Sequence, residues 1–283
     1  MAKKGLVLEG GAMRGLYTAG ILDVMMEHGI DFDGIVGVSA GAAFGCNYKS
    51  GQAGRVIRYN KRFARDKRYC SMRSLITTGN IYNADFCYHV VPREYDIFNF
   101  AAFEANPMEY WVVCIDVDSG EPVYQRCDKG DDEFLEWIRA SCSMPLVSRP
   151  VTIGEHRLLD GGLADSMPLQ WFQSQGYDRN VVILTRPAGY VKEPAGHKRA
   201  LRWLLRRYPV VAQALLQRHE LYNAQLQYVA QQEQLGNTLV FRPDPPLTIG
   251  HTCHDPEQMQ ATYEQGRRHG EQRIDEVAAF LRV

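Results

Sequence analysis

Twice within its first fifty residues this chain passes from a short apolar run, through a glycine turn, into a segment of helical spacing, and no other feature constrains the fold as much. Leu6-Val7-Leu8 ends at Glu9-Gly10-Gly11, and Leu16 to Met26 then carries apolar residues at helical intervals until Gly29 stops it. Gly34-Ile35-Val36-Gly37-Val38 runs in turn into Ser39-Ala40-Gly41-Ala42-Ala43, whose small side chains suit a helix packed closely on a sheet. Alternating β and α elements imply an α/β fold: a mainly parallel sheet with helices on its faces.

The pattern continues downstream. A basic helix is expected over Gln52 to Lys67, then an irregular stretch around Thr77-Thr78-Gly79-Asn80. Tyr110 to Val117 is a buried strand, the turn Asp118-Ser119-Gly120-Glu121 leads to a return strand Pro122 to Arg126, and a helix spans Asp131 to Ser141. Arg149 to Leu159 forms a hairpin around Gly154-Glu155 that delivers Asp160-Gly161-Gly162. Pro168 marks a helix start, and Asn180 to Thr185 is a further buried strand. After Pro194 strand signals nearly vanish, and helices are expected over 200–235 and 256–283, the second opened by Asp255-Pro256-Glu257-Gln258. The expected division is a catalytic core, 1–194, and a helical C-terminal extension packed on it, 195–283.

Composition narrows the function classes. The 283 residues carry 32 Lys and Arg against 33 Asp and Glu, a net charge of −1, which excludes a whole-chain polycation built for nucleic acid. With 45% hydrophobic and 11% aromatic residues the chain can bury a core, so it is not a disordered polymer. No apolar run approaches the ~18 residues of a membrane span. The chain enters its first strand without the apolar stretch of a signal peptide, so the cytoplasm is the expected compartment. Seven scattered cysteines without a C-x-x-C pair indicate neither a disulfide framework nor a zinc site. The segment His251-Thr252-Cys253-His254 has no second ligand pair, so neither a metal nor a cofactor is expected.

Three segments can carry chemistry. Gly37-Val38-Ser39-Ala40-Gly41 is a G-x-S-x-G at a strand-to-helix turn, where the glycines permit a sharp bend and the next helix presents its first amides beside the serine hydroxyl. Ser39 is therefore a candidate nucleophile. Gly10-Gly11-Ala12-Met13-Arg14-Gly15 fits G-x-G/A-x-x-G and admits two readings. As a dinucleotide loop it lacks its ribose-binding acid, since Asp31 and Asp33 stand at the start of the second strand and Ser39 at its end. As a set of backbone N–H groups at the same sheet edge it supplies an oxyanion hole, with Arg14 either anchoring the loop or meeting substrate. Asp160-Gly161-Gly162 alone is weak. It matters because a serine nucleophile needs a base, and by chain order His197, His219, His251, His254 or His269 also qualifies.

Taken in order, these three segments resemble the motifs of the patatin-like phospholipases, bacterial branch. Arg139-Ala140-Ser141-Cys142-Ser143-Met144-Pro145 and Leu163-Ala164-Asp165-Ser166-Met167-Pro168 resemble that family's flanking segments, so the likeness covers roughly residues 4–186. The resemblance implies a three-layer α/β/α fold and a Ser39-Asp160 dyad without histidine. It further implies an oxyanion hole from Gly10, Gly11, Ala12 and Ala40, supported by Met13, Arg14, Gly15, Gly37, Gly41, Gly161 and Gly162, and hydrolysis of lipid or other acyl esters. Ala12 stands where the family often has a third glycine. If that position needs a positive φ, alanine costs about 1 kcal/mol there.

The extension holds one more signal. Residues 197–219 carry Lys198, Arg199, Arg202, Arg206, Arg207 and Arg218 and no acid, while Leu201, Leu204, Leu205 and Tyr208 repeat at helical spacing beside Trp203. Such a stripe either packs on the core or rests on an anionic bilayer as a peripheral contact, and Pro209 is expected to kink or break it. Oligomeric state is not legible.

Overall fold

The computed structural model describes residues 3–282. In chain order its elements are β1 (Lys4–Leu8), α1 (Gly15–Glu27), β2 (Gly34–Val38), α2 (Ala40–Lys49), α3 (Arg55–Phe63), α4 (Met72–Thr78), a π-helical stretch (Phe86–Tyr95) and α5 (Phe100–Ala105). Then come β3 (Glu109–Asp116), β4 (Pro122–Arg126), α6 (Asp132–Ser141), β5 (Val151–Ile153), β6 (His156–Asp160), α7 (Leu169–Ser174) and β7 (Arg179–Ile183). Last are α8 (Lys198–Leu204), α9 (Pro209–Gln234), β8 (Thr238–Phe241) and α10 (Pro256–Arg282).

One sheet organises the molecule, in the order β5-β6-β3-β2-β1-β7-β8 with β4 also on β3. The strands from β3 to β8 along that order run parallel, β4 and β6 run antiparallel to β3, and β5 runs antiparallel to β6. The two-residue period of a strand explains why helices must cover both faces. Leu6, Leu8, Ile35 and Val181 pack under α1, α2, α6 and α10, while Val7, Val36, Val38 and Val182 pack against α7 and α9. This is the expected three-layer α/β/α arrangement.

Several local expectations need correction. Strand signals do not end at Pro194: Thr238-Leu239-Val240-Phe241 is the buried β8, parallel to β7. Four residues between two long helices are too few for their periodicity to be distinctive, and sheet pairing decides them. The helical stretch expected over 200–235 is two helices with α9 starting at Pro209, the position of the expected kink or break, and the basic helix is the shorter Arg55–Phe63. The stretch expected to be irregular contains α4, capped by the Ser71 hydroxyl accepting from Ser74 N–H at 3.0 Å.

Beyond residue 194, β8 extends the sheet and α10 lies along α1. The approach is close enough that a Cβ at Gly266 would stand 2.0 Å from the Tyr17 carbonyl oxygen, so only glycine fits that crossing. Tyr263 of α10 donates to Asp23 Oδ2 of α1 at 2.6 Å, and Arg267 pairs with Glu27 at 2.7 Å.

Candidate active site

Strand register brings the two candidate catalytic side chains together. On one edge of β3, Val113 pairs with Val38 of β2 and the next residue, Cys114, pairs with Asp160 of β6; β4 occupies the opposite edge. Thus β2 and β6 end at adjacent positions. Ser39 follows the last residue of β2, and Asp160 is the last residue of β6.

Ser39 adopts φ 55° and ψ −123°, a conformation that costs a non-glycine residue on the order of 1–3 kcal/mol and persists only where its surroundings enforce it. The enforcing group is Ser141. Its buried hydroxyl accepts from Ser39 N–H at 2.8 Å and donates to the Val113 carbonyl at 2.7 Å, tying the bend to β3.

Asp160 is 7% exposed. Its Oδ1 accepts from Gly162 N–H at 2.8 Å, which is its aligned hydrogen bond. The Ser39 hydroxyl lies beside this carboxylate. Burial raises the Asp160 pKa above the ordinary carboxylate range, against the opposing pull of Ser39, the Arg218 charge and the Gly162 N–H. The result is a stronger base than a solvated aspartate.

The glycine loop passes directly over Ser39. A Cβ at Gly10 would lie 2.9 Å from Ser39 Cβ, so a side chain there would displace the serine. Ala12 has φ 48°, the positive value at which alanine is strained. Among the described residues, the N–H groups of Gly10, Gly11, Ala12 and Ala40 have no acceptor in the protein, and all four residues border the cavities that meet at Ser39. Glu9 anchors the loop: Oε2 accepts from Thr185 Oγ1 at 3.1 Å and Oε1 from Tyr222 of α9 at 2.5 Å. Gly15 opens α1 against Ala40 and Phe44, Gly37 lies in β2 against Ala42, Gly41 sits beneath the Leu8 carbonyl, and Gly161 turns against the Val113 carbonyl. Gly162 holds Asp160.

Ser39 stands between two unlike cavities. One is apolar, lined by Met13, Ala43, Phe44, Tyr59, Val91, Phe98 and Ile138 among others, with the π-helical stretch as one wall. The other is of mixed character, bordered by Met144, Leu146, Leu163 and Leu215 but also by Glu9, Asp160, Arg14, Arg186, Lys192, Arg218 and His251. Of the histidines weighed as bases, His251 alone borders it. His269 bonds the Tyr17 hydroxyl at 2.5 Å, His254 the Ala64 carbonyl at 2.7 Å, His219 the Leu216 carbonyl at 3.1 Å, and His197 precedes α8.

Sequence reasoning missed the bracing role of Ser141 and the cations Arg186 and Lys192, which no motif marks. It misplaced Arg218: counted with the basic stripe, this side chain donates from Nε to the Gly162 carbonyl at 2.5 Å. The stripe itself is divided, because Leu205 is buried in the core while Trp203 and Leu204 are exposed.

A family model of patatin-like phospholipases matches residues 6–171, more than half of the chain and all three motif segments. The chain belongs to the patatin-like phospholipase family. The family is one of lipid-hydrolysing enzymes. Beyond the patatin-like segment, residues 208–282 match a domain of unknown function (DUF6363). Uncharacterized protein YjjU of Escherichia coli is 30% identical over 263 residues, 86% of this chain and 69% of YjjU. An NTE family protein of Mycobacterium tuberculosis is 27% identical over 178 residues, 63% of this chain and 48% of that protein. Lysophospholipase NTE1 of Debaryomyces hansenii is 29% identical over 178 residues, 61% of this chain and 11% of that protein. The patatin-like chain thus spans about half the mycobacterial relative and about a tenth of the yeast one. The crystal structure of VipD from Legionella pneumophila aligns with a TM-score of 0.50 at 12% identity, over 98% of this chain and 67% of that one, a likeness of fold.

Proposed function

We propose that this chain is a serine acyl hydrolase that cleaves carboxylic esters of lipids through Ser39 and Asp160. The observation that carries the reading is the abutment of a serine held in a strained bend against a buried, more basic aspartate. Asp160 takes the proton of Ser39 Oγ as the oxygen attacks the ester carbonyl, and the tetrahedral oxyanion accepts hydrogen bonds from the free N–H groups of Gly10, Gly11, Ala12 and Ala40. Collapse breaks the ester C–O bond, the leaving alcohol takes the proton back from Asp160, and an acyl-serine remains. Water, deprotonated by Asp160, then attacks the acyl carbon; the acyl–Oγ bond breaks, Ser39 takes the proton back from Asp160, and the fatty acid leaves. Each oxyanion donor is worth about 3 kcal/mol of barrier, which offsets the weakness of a carboxylate base.

Ser39→Ala tests this. It is expected to abolish hydrolysis of p-nitrophenyl esters and phospholipids and labelling by a fluorophosphonate probe, with the melting temperature unchanged or higher. Full turnover in purified Ser39→Ala protein overturns the reading. Labelling that survives Asp160→Asn but is lost in His251→Ala assigns the base to histidine instead.

The reading includes work at a lipid surface from the cytoplasm. No helix of the described residues is long and apolar enough to cross a membrane. Support comes from α8, where Trp203 is 64% and Leu204 53% exposed amid Lys198, Arg199 and Arg202, with Arg206 stacked over the Trp203 ring at 5.0 Å. Co-sedimentation with anionic vesicles is expected to exceed that with neutral ones and to weaken with salt; equal binding to both removes the surface role.

A further inference from the structure

The cavity on the Asp160 side of Ser39 is strongly cationic. Arg14, Arg186, Lys192 and Arg218 border it against two carboxylates, Glu9 and Asp160, and both carboxylates are already engaged, Glu9 by Thr185 and Tyr222 and Asp160 by Gly162. Counted as ionised, four cations against two carboxylates leave an excess of two positive charges, so Glu9 and Asp160 offset the cations only in part. Arg14 is 8% exposed with its Nε buried and unpartnered, while Arg186 and Lys192 lie over the rings of Tyr190 at 4.5 Å and Tyr222 at 4.8 Å. Burial first, then Arg218, Arg186 and Arg14, push the Lys192 ammonium down to about 8, the mark of like charges held together. Holding them so is unfavourable until an anion completes the site.

The second observation is position. Ser39 borders this cavity and the apolar one, so an ester with its acyl chain among Phe44, Tyr59 and Ile138 leads its alcohol portion toward the cations. Resting on the acyl-hydrolase reading above, we propose that the cationic cavity binds a phosphate on that alcohol portion, and that the preferred substrates are acyl esters whose phosphate carries no compensating cation. A choline-type head would bring a quaternary ammonium toward four positive side chains; a neutral glyceride would leave them unsatisfied. Three of the four, Arg186, Lys192 and Arg218, lie beyond residues 6–171, the segment that the family model matches. The selectivity therefore belongs to the C-terminal part of this chain.

The test compares kcat/KM for 1-acyl-glycerol-3-phosphate, the choline-type lysophospholipid and the monoacylglycerol of one acyl chain, in wild type and in Arg186→Gln/Lys192→Gln. Wild type is expected to prefer the phosphate monoester at least tenfold. In the double variant that preference is expected to fall at least tenfold, through KM. An unchanged ratio, or a wild-type preference for the choline lipid, overturns the proposal. Calorimetry on Ser39→Ala protein adds a readout that needs no turnover: adding the two Gln substitutions is expected to weaken 1-acyl-glycerol-3-phosphate binding at least tenfold. Inorganic phosphate binding as tightly as the acyl phosphate would mark a free-anion site and also overturn it. Absence of hydrolysis in wild type with this binding intact counts against the acyl-hydrolase reading alone.

Discussion

The two walls of the Ser39 cleft are built on different principles. The apolar wall comes from α2, α3, the π-helical stretch and α6, all between residues 12 and 144 and all inside the segment shared with the patatin-like family. The cationic wall takes Arg14 from that segment and Arg186, Lys192 and Arg218 from later in the chain. An apolar cavity follows from elements that already pack on the sheet and needs no exact partner. A cluster of cations that outnumbers its carboxylates is costly, so its assembly from separate segments points to a ligand. On the proposed reading, the chemistry is carried by the shared core and selectivity by what is laid over it.

The largest break in this picture is expected from Asp160→Asn, which keeps the shape but removes the proposed base. Hydrolysis of every ester is expected to fall by about 10³ or more in steady-state assays, whichever wall the substrate uses. Stability is expected to move the other way. Because burial raises the folded pKa, this group makes the fold less stable at neutral pH than in acid: the cost is absent below the unfolded value near 3.9 and builds as pH rises from there through the folded one. Asp160→Asn protein should therefore melt higher than wild type at pH 7, the gap closing at low pH; a lower melting temperature at pH 7 would contradict the burial argument.

Ala43→Phe sharpens the contrast from the apolar side. A ring filling that cavity is expected to lower the ratio of kcat/KM for sixteen-carbon over four-carbon p-nitrophenyl esters by about tenfold, since each buried methylene is worth about 0.8 kcal/mol. Equal losses for both chain lengths would show that the acyl chain lies elsewhere.

Ser141→Ala touches neither wall and tests the bend between them. It leaves Ser39 N–H buried without its acceptor, at a cost of about 1–3 kcal/mol, and is expected to lower the melting temperature by several degrees and the rate about tenfold on all substrates alike. A substrate-dependent effect would place Ser141 in recognition instead. The smallest change is Ala12→Gly. Relief of the strain at φ 48° is partly offset by the greater freedom of glycine in the unfolded chain, so stability should change by on the order of 0–1 kcal/mol and activity by less than twofold. A large loss of activity in denaturant-free assays would show that the methyl group itself positions the loop.

Much of the fold was legible because it is written in local periods. The runs at β1, β2, β3 and β7 and the glycine turns between strands and helices follow from side-chain spacing and backbone sterics within about ten residues, and chain reading located them. The short β8 was not legible, since a four-residue apolar run has no period of its own and becomes a strand only through pairing with β7. The site divides in the same way. By itself the sequence determined where a serine could sit in a strained turn and which loop carries free backbone amides, because those are properties of contiguous residues. Residue spacing left the partner of that serine open between Asp160 and several histidines, and only the resemblance of the motifs implied Asp160; the tertiary structure decided that Asp160 lies beside it, that Ser141 braces it, and that Arg186, Lys192 and Arg218 share one cavity. Each of those is a contact between segments far apart in the chain, fixed by strand register on β3 and by helices closing over the sheet, and no local pattern encodes it.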